Sequence, residues 1–323
     1  MRKRVIGLAA TFVGTLIGAG FASGREIALY FSHTSPLTPL LSGACMGVLC
    51  FFFLELGRLY SGDLFVLFGK FKPVFLVLIR FFNAVVTCAM IAGGELVIYS
   101  LFGIHGGGII TGVITLITII FGVEKLKSVN SFIVPAIVLL VFLLLFKGDN
   151  SAPFERFSVI PAFTYATMNI ISGGYFISTL SKECSRKENL AAAIISGVVL
   201  SAMLICVYVI IQKDLNASMP LMAAAERCNL KIVGNIIMYL AIYTTITSSL
   251  VVASENNIKK AAIIIAACYL VSLFSFEKII DISYPIMGVC GAAVIAWVAV
   301  LAVKKRLNDK SLKLDVGVAN HAD

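Results

Sequence analysis

Arg25, Glu26, Arg80, Glu95 and Asp281 fall within or at the edge of stretches that are otherwise apolar. An ionisable side chain near the centre of a bilayer costs at least about 2.5–3.5 kcal/mol, so each is a candidate for function. Glu95 follows Gly93 and Gly94 and is a possible proton carrier, a partner for a solute amine or a partner for Arg25; Glu26 is the second possible proton carrier. Arg80 lies close enough to the end of its apolar run to snorkel. For Arg25 and Glu26 the plainer alternative is contact with outer water. The six residues Thr244 to Ser249 (TTITSS) carry five hydroxyls on an apolar background. Such hydroxyls either bond back to their own helix or offer neutral oxygens to a cation. His33, His105 and His321 form no metal spacing, and the eight cysteines form no CxxC. GFASG invites comparison with a serine hydrolase, but no embedded His is placed to activate Ser23. An enzyme is not expected.

The elements that position these residues follow from composition. Of 323 residues 59% are hydrophobic and only 13% charged, about half the usual charged share of a soluble domain. A span of the roughly 30 Å hydrocarbon core needs about 20 apolar residues. Ten such stretches fill the chain, near 5–31, 37–58, 73–102, 107–123, 129–147, 158–180, 189–211, 231–253, 258–276 and 282–303. The expected class is therefore an all-α polytopic membrane protein with one transmembrane domain over 1–303 and a polar tail over 304–323. The start resembles a leader (RKR, then FASG), but the apolar run continues into IALYF, so it is read as a span. The loop 212–230 is long enough for a short surface helix at PLMAAAERC, a possible lid.

Positive charge is retained on the cytoplasmic side. With the N-terminus inside, 18 of the 26 Lys and Arg fall on inner loops and ends and 6 on outer loops, with Arg25 and Arg80 inside spans. Both termini are expected to be cytoplasmic, in a bacterial inner membrane. The net charge of +9 is spread over short loops rather than gathered on one face, which speaks against nucleic acid as a partner.

Two spans look interrupted. Gly14, Gly18, Gly20 and Gly24, with Ser23, crowd the middle of the first, and each interior glycine costs a helix roughly 1 kcal/mol. The sixth has Asn169, Ser172, Gly173 and Gly174 near mid-membrane and Pro161 near its outer end. Unwound backbone survives in a bilayer only inside protein or beside a wet cavity. Spans one and six open the two halves, about 5–147 and 158–303. Because five spans is odd, the second half must run in the opposite sense, the pattern of an inverted-repeat transporter. The alternative is that these glycines only let helices pack closely.

GTLIGAGFASGRE with its basic lead-in, and the SGG of span six, resemble the YkvI-type bacterial membrane proteins, which in turn resemble the amino-acid, polyamine and organocation transporter superfamily. The resemblance implies a LeuT-like fold of five plus five helices with helices one and six broken. It implies a sodium site from the carbonyls of Gly14, Ile17 and Thr244 and the hydroxyls of Thr247 and Ser248, with no other cofactor. A solute, an amino acid or similar zwitterion, would meet the amides of Gly18, Ala19 and Gly20, the region of Asn169, Ser172, Gly173 and Gly174, and the rings of Phe21 or Tyr175. Arg25 and Asp281 would form an outer gate. The chain departs from sodium-coupled relatives in lacking an Asn in span one, and no carboxylate in span six is placed for an amine. The resulting expectation is a sodium-coupled symporter working by alternating access. The alternatives are proton coupling through Glu95 or Glu26, and a membrane sensor or partner subunit that binds without transport. Oligomeric state is left open.

Overall fold

The computed structural model describes residues 2–121, 126–148 and 155–319, and the expected loop residue Lys125 and tail residue His321 lie outside these. Every expected apolar stretch is helical where described. The first is divided into α1 (Arg2–Leu16), α2 (Ala19–Ser23) and α3 (Arg25–Phe31). There follow α4 (Leu37–Leu59), the short α5 (Phe65–Phe68), α6 (Lys72–Phe102), α7 (Gly107–Phe121) and α8 (Leu126–Lys147). The second half comprises α9 (Val159–Leu180), α10 (Arg186–Ile211), α11 (Pro220–Arg227), α12 (Lys231–Ser254), α13 (Ile258–Ser272) and α14 (Phe276–Ala319). Among the described residues five helical stretches are long and apolar enough to cross a membrane by themselves, including α4, α10 and α12. The chain is a multi-pass membrane protein. Its last helix runs on past Val303 to Ala319, through most of the expected polar tail.

Small residues set the packing. A side chain at Gly47 would lie 2.9 Å from the Cα of Gly197, so α4 and α10 cross with their backbones in contact. Gly291 of α14 likewise faces the Thr167 carbonyl of α9, where a Cβ would sit at 2.5 Å. Close backbone approach gives dispersion contact where apolar burial gains little, since lipid is as apolar as the core. Helix ends are fixed locally: Ser185 and Glu188 form a reciprocal capping box on α10, and the Asn257 side chain accepts from the Lys260 amide at the start of α13. All eight cysteines are free.

The sixth span departs from expectation. Residues 169–174 lie inside the continuous α9 rather than in a break. Its glycines serve contact: a Cβ on Gly173 would meet the side chains of Thr15 and Leu16 at 3.2 and 3.3 Å, and one on Gly174 would meet the Phe53 ring at 3.0 Å. Neighbouring helices occupy the space that side chains would need, and the helical hydrogen bonds are kept.

Candidate functional site

The first span is interrupted where its glycines cluster. The Gly18 amide turns to the Leu16 carbonyl at 3.0 Å instead of continuing to Gly14. The Ala19 amide leaves the helix altogether and donates to the Thr245 hydroxyl of α12 at 3.2 Å. The carbonyls of Gly14 and Thr15 are thereby released from their usual helical donors. A second bend follows at Gly24, whose φ of +75° is left-handed and suits glycine. The Ser23 hydroxyl stitches it, donating to the Gly20 carbonyl at 2.7 Å and accepting from the Arg25 amide at 3.0 Å.

On the α3 side the break is sealed. Arg25 Nε donates to Asp281 Oδ1 at 3.0 Å, and a second guanidinium nitrogen meets Oδ2, a two-point pair between the first and last spans. The loop helix α11 lies directly on the bend: a Cβ at Gly24 would come 2.9 Å from the Leu221 amide nitrogen. Pro220, Leu221, Ala224 and Ala225 of this helix are buried. Its end is held by Arg227 with Asp214 and by Lys231 with Glu226, each at 2.8 Å. On the α1 side Thr15 and Ser248 are exposed, and Gly14 and Gly18 are half-buried.

Inside the break a narrow crevice, too tight here to hold a water molecule, lies between Leu16 and Phe21 of the first span, Tyr165 and Asn169 of α9, and Met46, Leu200 and Leu204. It brings together Phe21 and Asn169, both expected at the solute site. Gly18, Ala19 and Gly20 form the backbone beside it. Asn169 spends its amide on its own helix, donating to the Tyr165 carbonyl at 3.1 Å. Gly173 and Gly174 are buried against α1 and α4 as helical residues, so their backbone groups are not freed by unwinding. The side chains of Ser172 and Tyr175 lie outside the described set.

The hydroxyl run of α12 faces the break through Thr245, which the sodium assignment passed over. Thr247 donates to the Tyr243 carbonyl at 2.6 Å, and Ser248 to the carbonyls of Thr244 and Thr245 at 2.9 and 3.0 Å. Thr244 donates to Ala241 at 3.1 Å. These hydroxyls use their protons on their own helix, which leaves oxygen lone pairs for another donor or a cation. Ile17 is buried, and Gly14 faces α8, where a Cβ would lie 3.5 Å from the Val134 side chain. Among the described residues no cluster of His, Cys, Asp and Glu is arranged for a metal.

The charged candidates separate. Glu95 does not reach into the break: it accepts from the amides of Gly106 and Gly108 at 3.1 and 2.9 Å and meets His105 at 3.3 Å, capping the start of α7. Orphan amides at a helix start attract a carboxylate, which accounts for it without a proton relay. Glu26 instead folds back over the break, so that a Cβ on Gly20 would overlap its carboxylate. It is only 7% exposed, and the Tyr165 hydroxyl donates to it at 3.3 Å. It therefore does not sit in outer water. Arg80 pairs with Glu255 just beyond α12, which also receives Lys260. The Lys260 hydrogen bond, then the Arg80 charge, hold the Glu255 carboxyl below its ordinary range.

Comparisons with known proteins place this geometry. No family model matches the chain. It is similar to YyaD of Bacillus subtilis strain 168, an uncharacterised protein, at 26% identity over 306 residues, covering 85% of the chain and 90% of YyaD. It is also similar to the uncharacterised membrane protein YkvI of that strain, at 24% identity, covering 94% of the chain and 97% of YkvI. Among solved structures it resembles the inward-facing conformation of Mhp1, with a TM-score of 0.63 at 14% identity over 92% of the chain and 75% of Mhp1. It resembles the closed, bromovinylhydantoin-bound form of Mhp1, a nucleobase-cation-symport-1 family transporter, with a TM-score of 0.50 at 15% identity, covering 92% of the chain and 73% of that structure. These neighbours are transporters rather than enzymes. The chain is thus similar in sequence to YkvI and YyaD and shares the LeuT-like fold of Mhp1.

Proposed function

We propose that the chain is a secondary transporter of a small organic solute, sodium-coupled and working by alternating access in a bacterial inner membrane with both termini cytoplasmic. The observation that carries this is the break in the first span, sealed on one side by Arg25, Asp281 and α11, with Thr15 and Ser248 exposed on the other. A helix gives up hydrogen bonds at bilayer depth only where the freed groups have work to do. The fold shared with Mhp1 supports transport as that work.

The solute is amino-acid-like, held by the backbone at Gly18, Ala19 and Gly20 beside Phe21 and Asn169. The sodium ion sits between the carbonyls of Gly14 and Ile17 and the oxygens of Thr244, Thr247 and Ser248, bridging α1 and α12. A hard monovalent cation suits neutral oxygens, and a broken helix supplies them. Opening the Arg25–Asp281 pair and lifting α11 would admit solute from outside.

Uptake into proteoliposomes under an imposed sodium gradient tests this. Wild type accumulates solute against its gradient, and the Thr247→Ala/Ser248→Ala protein loses the sodium stimulation. Unchanged stimulation in the double variant would sink the cation site, and binding without flux would favour a sensor. One observation supports a second mechanism: Glu26, buried in the break with a neutral hydroxyl as its hydrogen-bond partner, is built to take up a proton. Under that mechanism a pH gradient drives uptake and Glu26→Gln abolishes the drive while sodium has no effect.

A further inference from the structure

Away from the break, α4 and α10 form a trough on the membrane-facing surface. Its floor is made of residues too small to fill it. Gly47 and Gly197 bring the two backbones together, with Ala44 and Ala193 beside them, while Val48, Ile194 and Val198 stand up at the rims, 58–69% exposed. The space measures about 620 Å³ and its lining is almost wholly apolar. From Leu190 to Ile205 a helix rises about 22 Å, so the mean section is roughly 30 Å². A helix 10–12 Å across needs roughly 80–110 Å² and would ride on the rims, leaving the floor empty. Flexible polymethylene chains are narrow enough to fill it.

The charge at one mouth selects the headgroup. Lys187, Leu190, Ile194 and Val198 are spaced by three and four residues and so share one face of α10. Arg186 and Lys187 are exposed there. Across from them Arg58 is committed to Glu55 at 2.8 Å, and Asn189 also donates to Glu55 at 2.9 Å. Of the other nearby carboxylates, Glu188 is buried in its cap with Ser185, and Glu183 is exposed three and four residues before Arg186 and Lys187. Two cations thus stand at the trough's end, neither in a close ion pair among the described residues, with Arg186 in longer-range electrostatic reach of Glu55.

We propose that this trough is a binding site for an anionic phospholipid, its acyl chains along the α4–α10 crossing and its phosphate at Arg186 and Lys187. Basic residues at the membrane surface between helices are suited to acidic headgroups. The lipid would cover a crossing whose glycines leave the backbones without side-chain cover.

Native mass spectrometry of the full chain in mild detergent, after equilibration with equal phosphatidylglycerol and phosphatidylcholine, tests it. Wild type should retain phosphatidylglycerol over phosphatidylcholine by about fivefold or more, the ratio that ~1 kcal/mol from even one basic residue converts to. Arg186→Glu with Lys187→Glu should abolish the preference while still holding lipid. Ala44→Phe, which fills exposed space, should lose both lipids; Ala202→Phe on the facing helix reads the same point if the first variant folds poorly. Equal retention of the two lipids by wild type, or a preference unchanged in the double variant, would overturn the proposal. So would a two-copy mass that Ala44→Phe dissociates, which would assign the trough to a second copy of the chain.

Discussion

The first and sixth spans carry similar signals, paired small residues near mid-membrane, and the chain uses them differently. In the first, Gly18 and Gly24 leave helical geometry and the freed amides find side-chain partners, Ala19 on Thr245 and Arg25 on Ser23, while the Arg25 side chain pairs with Asp281. In the sixth, Gly173 and Gly174 stay helical and are pressed against Thr15, Leu16 and Phe53. The contrast teaches that glycine permits a break without specifying one. What distinguishes the first span is a competing partner for its released amides, the Thr245 hydroxyl for Ala19 and the Ser23 hydroxyl for Arg25.

The largest effect that could break this comparison is expected at Gly24. A left-handed backbone costs a residue with a side chain about 1–2 kcal/mol, and at φ +75° the added methyl would also crowd the Leu221 amide at 2.9 Å. Gly24→Ala should lift α11 from the bend, lower the melting temperature and abolish solute uptake. If Gly24→Ala transports normally, the seal over the break is not required, and the asymmetry between the two spans loses its functional meaning.

Next comes the ion pair that closes the first span onto the last. Breaking a fully buried pair costs about 3–5 kcal/mol, and here less is expected, about 1–2, because Asp281 is 33% exposed and partly screened. Arg25→Asp and Asp281→Arg should each reduce uptake, and the double reversal should recover part of it. Absence of recovery would argue that Arg25 acts elsewhere, for instance through the Ala217 carbonyl it also approaches at 3.5 Å.

Much of this was legible in the sequence because it rests on short-range physics. Apolar stretches long enough to span became helices, PLMAAAERC became α11, and the glycine crowding marked the first break. Arg25 and Asp281 were singled out as costly charges, and the structure pairs them. The rest depended on neighbours that no local pattern reveals. Gly173 and Gly174 read as a break because Phe53 and Leu16 were not visible beside them. Glu95 was left open between a proton carrier, an amine partner and a partner for Arg25, because the amides of Gly106 and Gly108 at the start of the next helix were not visible as its partners. Thr245 was overlooked within TTITSS because only the rotation of α12 decides which hydroxyl meets Ala19.

Thr245 offers a smaller, sharper probe. Thr245→Val keeps the shape and removes the acceptor, leaving the part-buried Ala19 amide unpaired at a cost of about 1–3 kcal/mol. The expected outcome is a modest loss of thermal stability with a larger fractional loss of uptake, since the bond exists only where the first span is broken. Thr245→Ser, which restores the hydroxyl, should recover both. Failure of the serine to recover uptake would mean that the methyl, and not the hydrogen bond, matters at this crossing.

Gly173→Ala should have the smallest effect and tests the other half of the comparison. Alanine gains about 1 kcal/mol of helix propensity over glycine, and the new methyl meets only the side-chain ends of Thr15 and Leu16 at 3.2 and 3.3 Å, which must yield by a few tenths of an ångström. The two terms nearly cancel, so the melting temperature should change little and uptake should persist if α9 remains helical throughout the cycle. The informative contrary result is normal or raised stability with lost uptake. Alanine would then be penalising a state other than the one described, one in which α9 unwinds at Gly173. The two spans would differ in when they break rather than in whether they do.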